Sequence, residues 1–132
     1  MKHVKCGDAP SVRAPAQYFV GPVWQNPIAI PDDPARANSA LVTFEPGART
    51  NWHHHPLGQT LYVTQGAGWF QTKGEPRVDI RAGDSIFIPP GEVHWHGATA
   101  TTTMSHVAIH ERQGGSHITW LEPVSDDEYL GG

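Results

Sequence analysis

The chain predicts an all-β domain of the sandwich or barrel type, and three observations lead there. Short runs of strand-forming residues recur along its 132 residues, Gly and Pro punctuate them, with 14 Gly and 12 Pro in all, and no helical period of useful length appears before the acidic tail. Taken in order, the first 39 residues are the least regular. Pro10, Pro15, Pro22, Pro27, Pro31 and Pro34 disfavour a buried central strand there, because proline donates no ladder hydrogen bond. Tyr18–Val20 and Val23–Gln25 are expected as edge strands or as a drape over a neighbouring subunit. The regular strands follow at Ala40–Phe44, Thr60–Thr64, Gly68–Thr72, Arg77–Ile80, Ser85–Ile88 and Thr102–Glu111. Their separators are Glu45-Pro46-Gly47, Gln65-Gly66, Lys73-Gly74-Glu75-Pro76 and Pro89-Pro90-Gly91. In the tail, Ser125 is placed to cap a short helix over Ser125–Leu130. One domain over residues 1–132 is expected, divided into an N-terminal extension (1–39), a core (40–111) and a tail (112–132).

Composition removes several functions. A formal net charge of −4 with scattered Lys and Arg offers no basic stripe for phosphates, so no nucleic-acid partner is expected. No apolar run approaches the ~20 residues that span a bilayer and no leader pattern is visible, so the expectation is a cytoplasmic protein without a membrane partner. Cys6 is the single cysteine, and no intramolecular disulfide can form. The anomaly is histidine, with nine residues. His3, His54 and His117 read as solvated side chains; the other six fall where a pocket is expected.

Spacing gives those six a chemistry. On a strand, side chains two apart share a face, so His53 and His55 point together while His54 points away. Gln59 follows four residues later, and His94 arrives after Gly83, Pro89 and Gly91. Three imidazoles and an amide form a neutral donor set for one divalent transition metal, in a site with open positions for a small-molecule substrate. Structural zinc is disfavoured, since such sites usually close a tetrahedron and often use cysteine. Gly47, Gly66, Gly83 and Gly91 are expected at turns that need positive φ or a close backbone approach.

These residues carry a resemblance. Gly47 to Gly66 is similar to the first cupin motif, G-x5-H-x-H-x3-E-x6-G, and Gly83 to His94 to the second, G-x5-P-x-G-x2-H; Gln59 replaces the usual glutamate and Ala98 the asparagine that often follows. The resemblance selects a jelly-roll barrel. It also decides the facing of Thr102–Glu111. By alternation alone Val107 and Ile109 look like core and would leave His106 and His110 in solvent. The cupin template puts Met104, His106, Ala108 and His110 inside and covers the Val107–Ile109 face with other sheet or a second subunit.

A closer resemblance lies in Val42 to Thr50, Trp52-His53, Pro56 to Leu61 and His94 to Ala98. These stretches are similar to the small bacterial manganese-dependent cupin hydroxynitrile lyases of the (R)-mandelonitrile lyase type, a subgroup with glutamine at the position of Gln59. The resemblance implies His53, His55, Gln59 and His94 as ligands, manganese as the metal (with iron, zinc or nickel also admitted by the donors), and His96 and His106 as pocket acid/base residues; His110 sits where members of the group differ and is added from its strand position as a third candidate. Ala40, Val42 and Phe44 would line the pocket. The implied reaction converts an aromatic cyanohydrin into an aldehyde and hydrogen cyanide, and the reverse. The absence of nucleotide or nucleophile-elbow motifs agrees with lyase chemistry. Another native substrate for a metal cupin, such as a carbohydrate acid or an iron-dependent oxygenation, and a non-catalytic metal-dependent binding module are the competing readings. A homodimer or homotetramer is expected.

Overall fold

The computed structural model describes residues 1–131. Its strands are β1 (Val12–Arg13), β2 (Phe19–Val20), β3 (Val23–Ala29), β4 (Ala37–Phe44), β5 (Arg49–Thr50), β6 (His53–His54), β7 (Gln59–Thr72), β8 (Val78–Arg81), β9 (Ser85–Ile88), β10 (His94–Ala98), β11 (Met104–Glu111) and β12 (Thr119–Trp120), with one short helix, α1 (Asp126–Tyr129). All pairings between these strands are antiparallel. The protein is an all-β jelly roll.

The two stretches expected as separate strands, Thr60–Thr64 and Gly68–Thr72, are one continuous strand. The reason lies at Gln65-Gly66. Gly66 has φ +76°, and a Cβ there would sit 2.0 Å from the Thr103 carbonyl oxygen. The glycine therefore allows a close approach instead of reversing the chain, and two residues earlier Thr64 is the extra residue of a bulge opposite Ser105 and His106. Gly47, Gly83 and Gly91 also take positive φ.

Because β7 bends, its first half joins the sheet β1-β3-β4-β11-β7-β9 and its second half joins β10, β8 and, through β10, β5 and β6. The two sheets curl toward each other. Their facing sides bury Val42, Phe44, Val63, Met104 and Ala98, with Phe19 and Val23 closing the side. β3 continues past Gln25 to Ala29 with Pro27 inside it, and its exposed outer end is where a missing N–H is tolerated.

The outer side of the second sheet is covered by the tail. Trp95 and Trp69 alternate outward from β10 and β7 onto Tyr129, whose hydroxyl donates to the Ala98 carbonyl at 2.6 Å. The Arg49 guanidinium lies 4.4 Å over the Tyr129 ring and donates to the Val124 carbonyl and Asp126. Ser125 caps α1 in a reciprocal box with Glu128. The outer side of the first sheet is different. Val107 and Ile109 do point away from the histidines, but no other sheet covers them among the described residues, and Ile109 is 42% exposed. None of the described helices is long and apolar enough to cross a membrane.

Candidate metal centre and its pocket

Five buried histidine rings meet where the two sheets face each other. β6 delivers His53, the turn after it His55, and the first residue of β7 is Gln59; β10 delivers His94 and His96. His53, His55, Gln59, His94 and His96 are all buried. β10 and β6 pair directly through His94 and His53, whose rings lie 4.2 Å apart. The ligand-capable atoms of His53, His94 and His96 lie within 4.8 Å of one another. The His55 ring centre stands 5.1 Å from that of His53 and 5.6 Å from that of His94.

Three of these rings are held alike. His53 Nδ1 donates to the Asn51 carbonyl (2.9 Å), His55 Nδ1 to the His117 carbonyl (2.7 Å) and His94 Nδ1 to the Glu92 carbonyl (2.8 Å). A carbonyl only accepts, so the proton sits on Nδ1 and Nε2 keeps its lone pair, the tautomer a metal needs. His55 Nε2 is enclosed without a partner. His94 Nε2 lies 3.2 Å from Gln59 Oε1, where an imidazole lone pair faces an amide oxygen and neither has a proton to share. A cation resolves both features, so the residues fit a divalent metal. Burial, reinforced by neighbouring imidazoles, pushes His53 well below the usual histidine range, and burial holds His55 and His94 at about 4. At neutral pH the donors have no proton to displace.

His96 is held differently. Its Nδ1 is 3.0 Å from His106 Nε2, its backbone N–H donates to Thr50 Oγ1, and its Nε2 is enclosed without a partner. His106, on β11, is fully buried against Phe44 at 5.3 Å between ring centres, and its Nδ1 is also unpartnered. Burial lowers His106 to about 4 and His96 well below normal. The pair thus shares one hydrogen bond with both rings neutral.

Beside the histidines is a cavity of about 100 Å³, and Ala40, Val42 and Phe44 on β4 line it with Ala108. His110 also lines it. The His110 ring stacks on His55 at 5.1 Å and its Nδ1 has no partner; burial lowers it to about 3.

Sequence reasoning missed the tail's share of this wall. His117, expected in solvent, is half-buried and stacks on His110 at 4.5 Å with the rings 4° from parallel. Trp120 pairs through β12 with His53 and places its ring 4.9 Å from that imidazole. Ile118, Gln25 and Phe19 complete the lining. The local signal was thin: the Gly114-Gly115 turn followed by Ile118-Thr119-Trp120 marks a short strand but not its partner. His3 is exposed and His54 half-buried, and Cys6 is exposed.

Comparison with known proteins adds an independent line. The family model described as "Cupin domain" matches residues 40–110. Across 129 residues the chain is 49% identical to an (R)-mandelonitrile lyase of Granulicella tundricola, covering 98% of each. Among solved structures, a cupin-like protein of Thermotoga maritima superposes with TM-score 0.85 at 37% identity, over 89% of this chain and 90% of that one. The polyketide cyclase RemF of Streptomyces resistomycificus does so with TM-score 0.73 at 22% identity, over 98% and 91%, which speaks to the fold alone.

Proposed function

The chain belongs to the cupin domain family, and on that premise we propose that it is a metal-dependent hydroxynitrile lyase. It would cleave (R)-aromatic cyanohydrins such as mandelonitrile to aldehyde and hydrogen cyanide, and run the reverse addition. The observation that carries this reading is the buried His106–His96 pair, 3.0 Å apart, set beside a neutral three-histidine-and-amide donor set at one cavity. The full-length relative named for that activity supports it.

In this proposal His53, His55, Gln59 and His94 are the ligands. His96 is close enough to join them, but its Nδ1 leans on a titratable ring instead of a carbonyl, so its tautomer is free to change during a reaction. A bound divalent cation, manganese in our reading, supplies Lewis acidity toward an oxygen that gains negative charge, undiminished because all four donors are neutral.

The residues then account for the proton. Cleavage breaks the C–CN bond, the electron pair leaves with cyanide, and the hydroxyl proton must end on cyanide. His106 and His96 are both neutral at pH 7, so neither carries a proton beyond the single N–H of a neutral imidazole. One must therefore take the hydroxyl proton before any can be given. His106 removes it and passes its own N–H proton to His96, which delivers a proton to cyanide, while neutral His110 lines the wall. Ala40 and Val42 leave room for an aromatic ring, and Phe44 and Trp120 fix its face.

We also propose a homodimer. On the outer side of the first sheet the register puts Leu41, Val107 and Tyr62 in one row, with Ile109, Thr60 and Phe87 in the next. Tyr62 is 49% and Phe87 65% exposed, and the intervening Ser39, Thr43, Ser85 and Ser105 carry no charge. Apolar, uncharged and unpartnered faces of this kind mark subunit contacts.

The test of the activity is direct. Manganese-loaded protein should release benzaldehyde and cyanide from mandelonitrile, and in the synthetic direction at mildly acidic pH, where uncatalysed addition is slow, should give R product. Racemic product at the background rate would refute the lyase reading.

A further inference from the structure

The cavity at the candidate metal centre has a neighbour. A groove of about 210 Å³ is lined by Pro27, Ile30, Asn38 and Ser39, and four residues line both spaces: Gln25, Ala40, His110 and His117. Gln25 and Ala40 come from strands fixed in the sheet. The separation is therefore completed by two imidazoles.

Those two rings form a stiff wall. His55, His110 and His117 make a column of nearly parallel rings, 5.1 and 4.5 Å apart with interplanar angles of 16° and 4°. A flat hairpin, with Gln113 and Ser116 exchanging backbone hydrogen bonds across Gly114-Gly115, returns the chain so that His117 lands on the end of β11. The groove's far rim is tied down as well: Arg112 donates to Asn38 and to the Pro31 and Ala35 carbonyls. Backbone and side chain of His117 have separate tasks, since its carbonyl takes the His55 Nδ1–H while its ring makes the wall.

We propose that the His117 ring is a specificity-determining residue that closes the cavity against the outer groove and limits the substrate to a single aromatic ring. Without that ring only His110 remains of the two-imidazole wall, and the site accepts past it a rod-like biaryl substrate whose second ring lies between Pro27, Ile30 and Asn38. This rests on the cavity being the substrate site proposed above.

The experiment measures binding and turnover in parallel on the metal-loaded protein. By calorimetry, benzyl alcohol and 4-phenylbenzyl alcohol are titrated into wild type, His117→Ala, His117→Ser and His117→Phe; the cyanohydrins of benzaldehyde and 4-phenylbenzaldehyde are compared by kcat/KM. The truncations keep the carbonyl that orients His55. They should shift the biaryl-to-monoaryl preference by on the order of tenfold, the scale at which an apolar wall discriminates. His117→Phe, a flat ring in the same place, should keep the wild-type ratio. If neither cyanohydrin is cleaved while the alcohol ratio shifts as stated, the lyase reading falls and the wall stands. An unchanged alcohol ratio in both truncations, or the same shift in His117→Phe, would overturn the wall.

Discussion

Replacing His106 with alanine tests the proton path most sharply. The ring is fully buried, hydrogen-bonded to His96 at 3.0 Å and packed on Phe44. Losing a positioned acid or base costs about 10²–10⁴-fold in rate, which corresponds to roughly 2.7–5.4 kcal/mol of transition-state stabilisation. The fold also loses something, because the truncation strips His96 Nδ1 of its partner, a penalty of about 1–3 kcal/mol for a buried polar group. His106→Phe isolates the packing: it retains the aromatic contact with Phe44 but, like alanine, carries no proton and leaves His96 Nδ1 unpartnered. The assay is benzaldehyde release from mandelonitrile by metal-loaded protein, with elemental analysis and circular dichroism on each variant. Both variants should keep their metal and their fold while losing activity by the stated factor and losing enantioselectivity in the synthetic direction. His53→Ala, in contrast, should lose the metal itself. A folded, metal-replete His106→Ala that matches wild type in rate and product handedness would refute the reasoning.

Three further outcomes are expected. Gln59→Glu should still bind metal but lower kcat, because an anionic ligand offsets part of the cation's field; equal kcat at equal metal content would remove that electrostatic argument. The metal-free protein should be acid-sensitive. His55, His94 and His106 are neutral in the fold down to about 4, whereas the unfolded chain protonates them near 6.5. Stability is therefore full above that value and falls as the pH drops from 6.5 toward 4, by about 1.4 kcal/mol per pH unit for each histidine; thermal midpoints that stay flat between pH 7 and 4.5 would contradict it. Finally, light scattering at micromolar concentration should give about twice the 14.4 kDa of one chain, and a monomer mass would exclude the proposed contact.

What could be read from the sequence divides along physical lines. Period-2 alternation is local, so the shared facing of His94 with His96 and of His106 with His110 was legible once one residue of each strand was placed inside. The inside itself was not. The apolar Val107 and Ile109 outweigh two histidines on any hydropathy count, and only the spacing of the two motifs reverses that choice. Gln65-Gly66 carried a turn signal that the fold uses to continue a strand next to a bulge, since a positive-φ glycine serves equally for reversal and for the close pass of the Thr103 carbonyl.

The tail's contribution was hidden for a different reason. Residues Thr119 and Trp120 pair with His54 and His53, more than sixty positions earlier, and a two-residue strand has too little pattern to name its partner. The feature that best distinguishes the proposed ligand histidines from the proposed proton-carrying pair leaves no side-chain signature at all. It is the backbone carbonyl of Asn51, Glu92 or His117 that fixes each Nδ1 proton, and almost any residue could present that oxygen. Only folding shows that His96 lacks such an anchor and leans on His106 instead. The difference between a ring that can only donate a lone pair to a cation and a ring that can trade its proton is therefore written in main-chain geometry, and its proposed consequence is the division of labour that the His53 and His106 variants test.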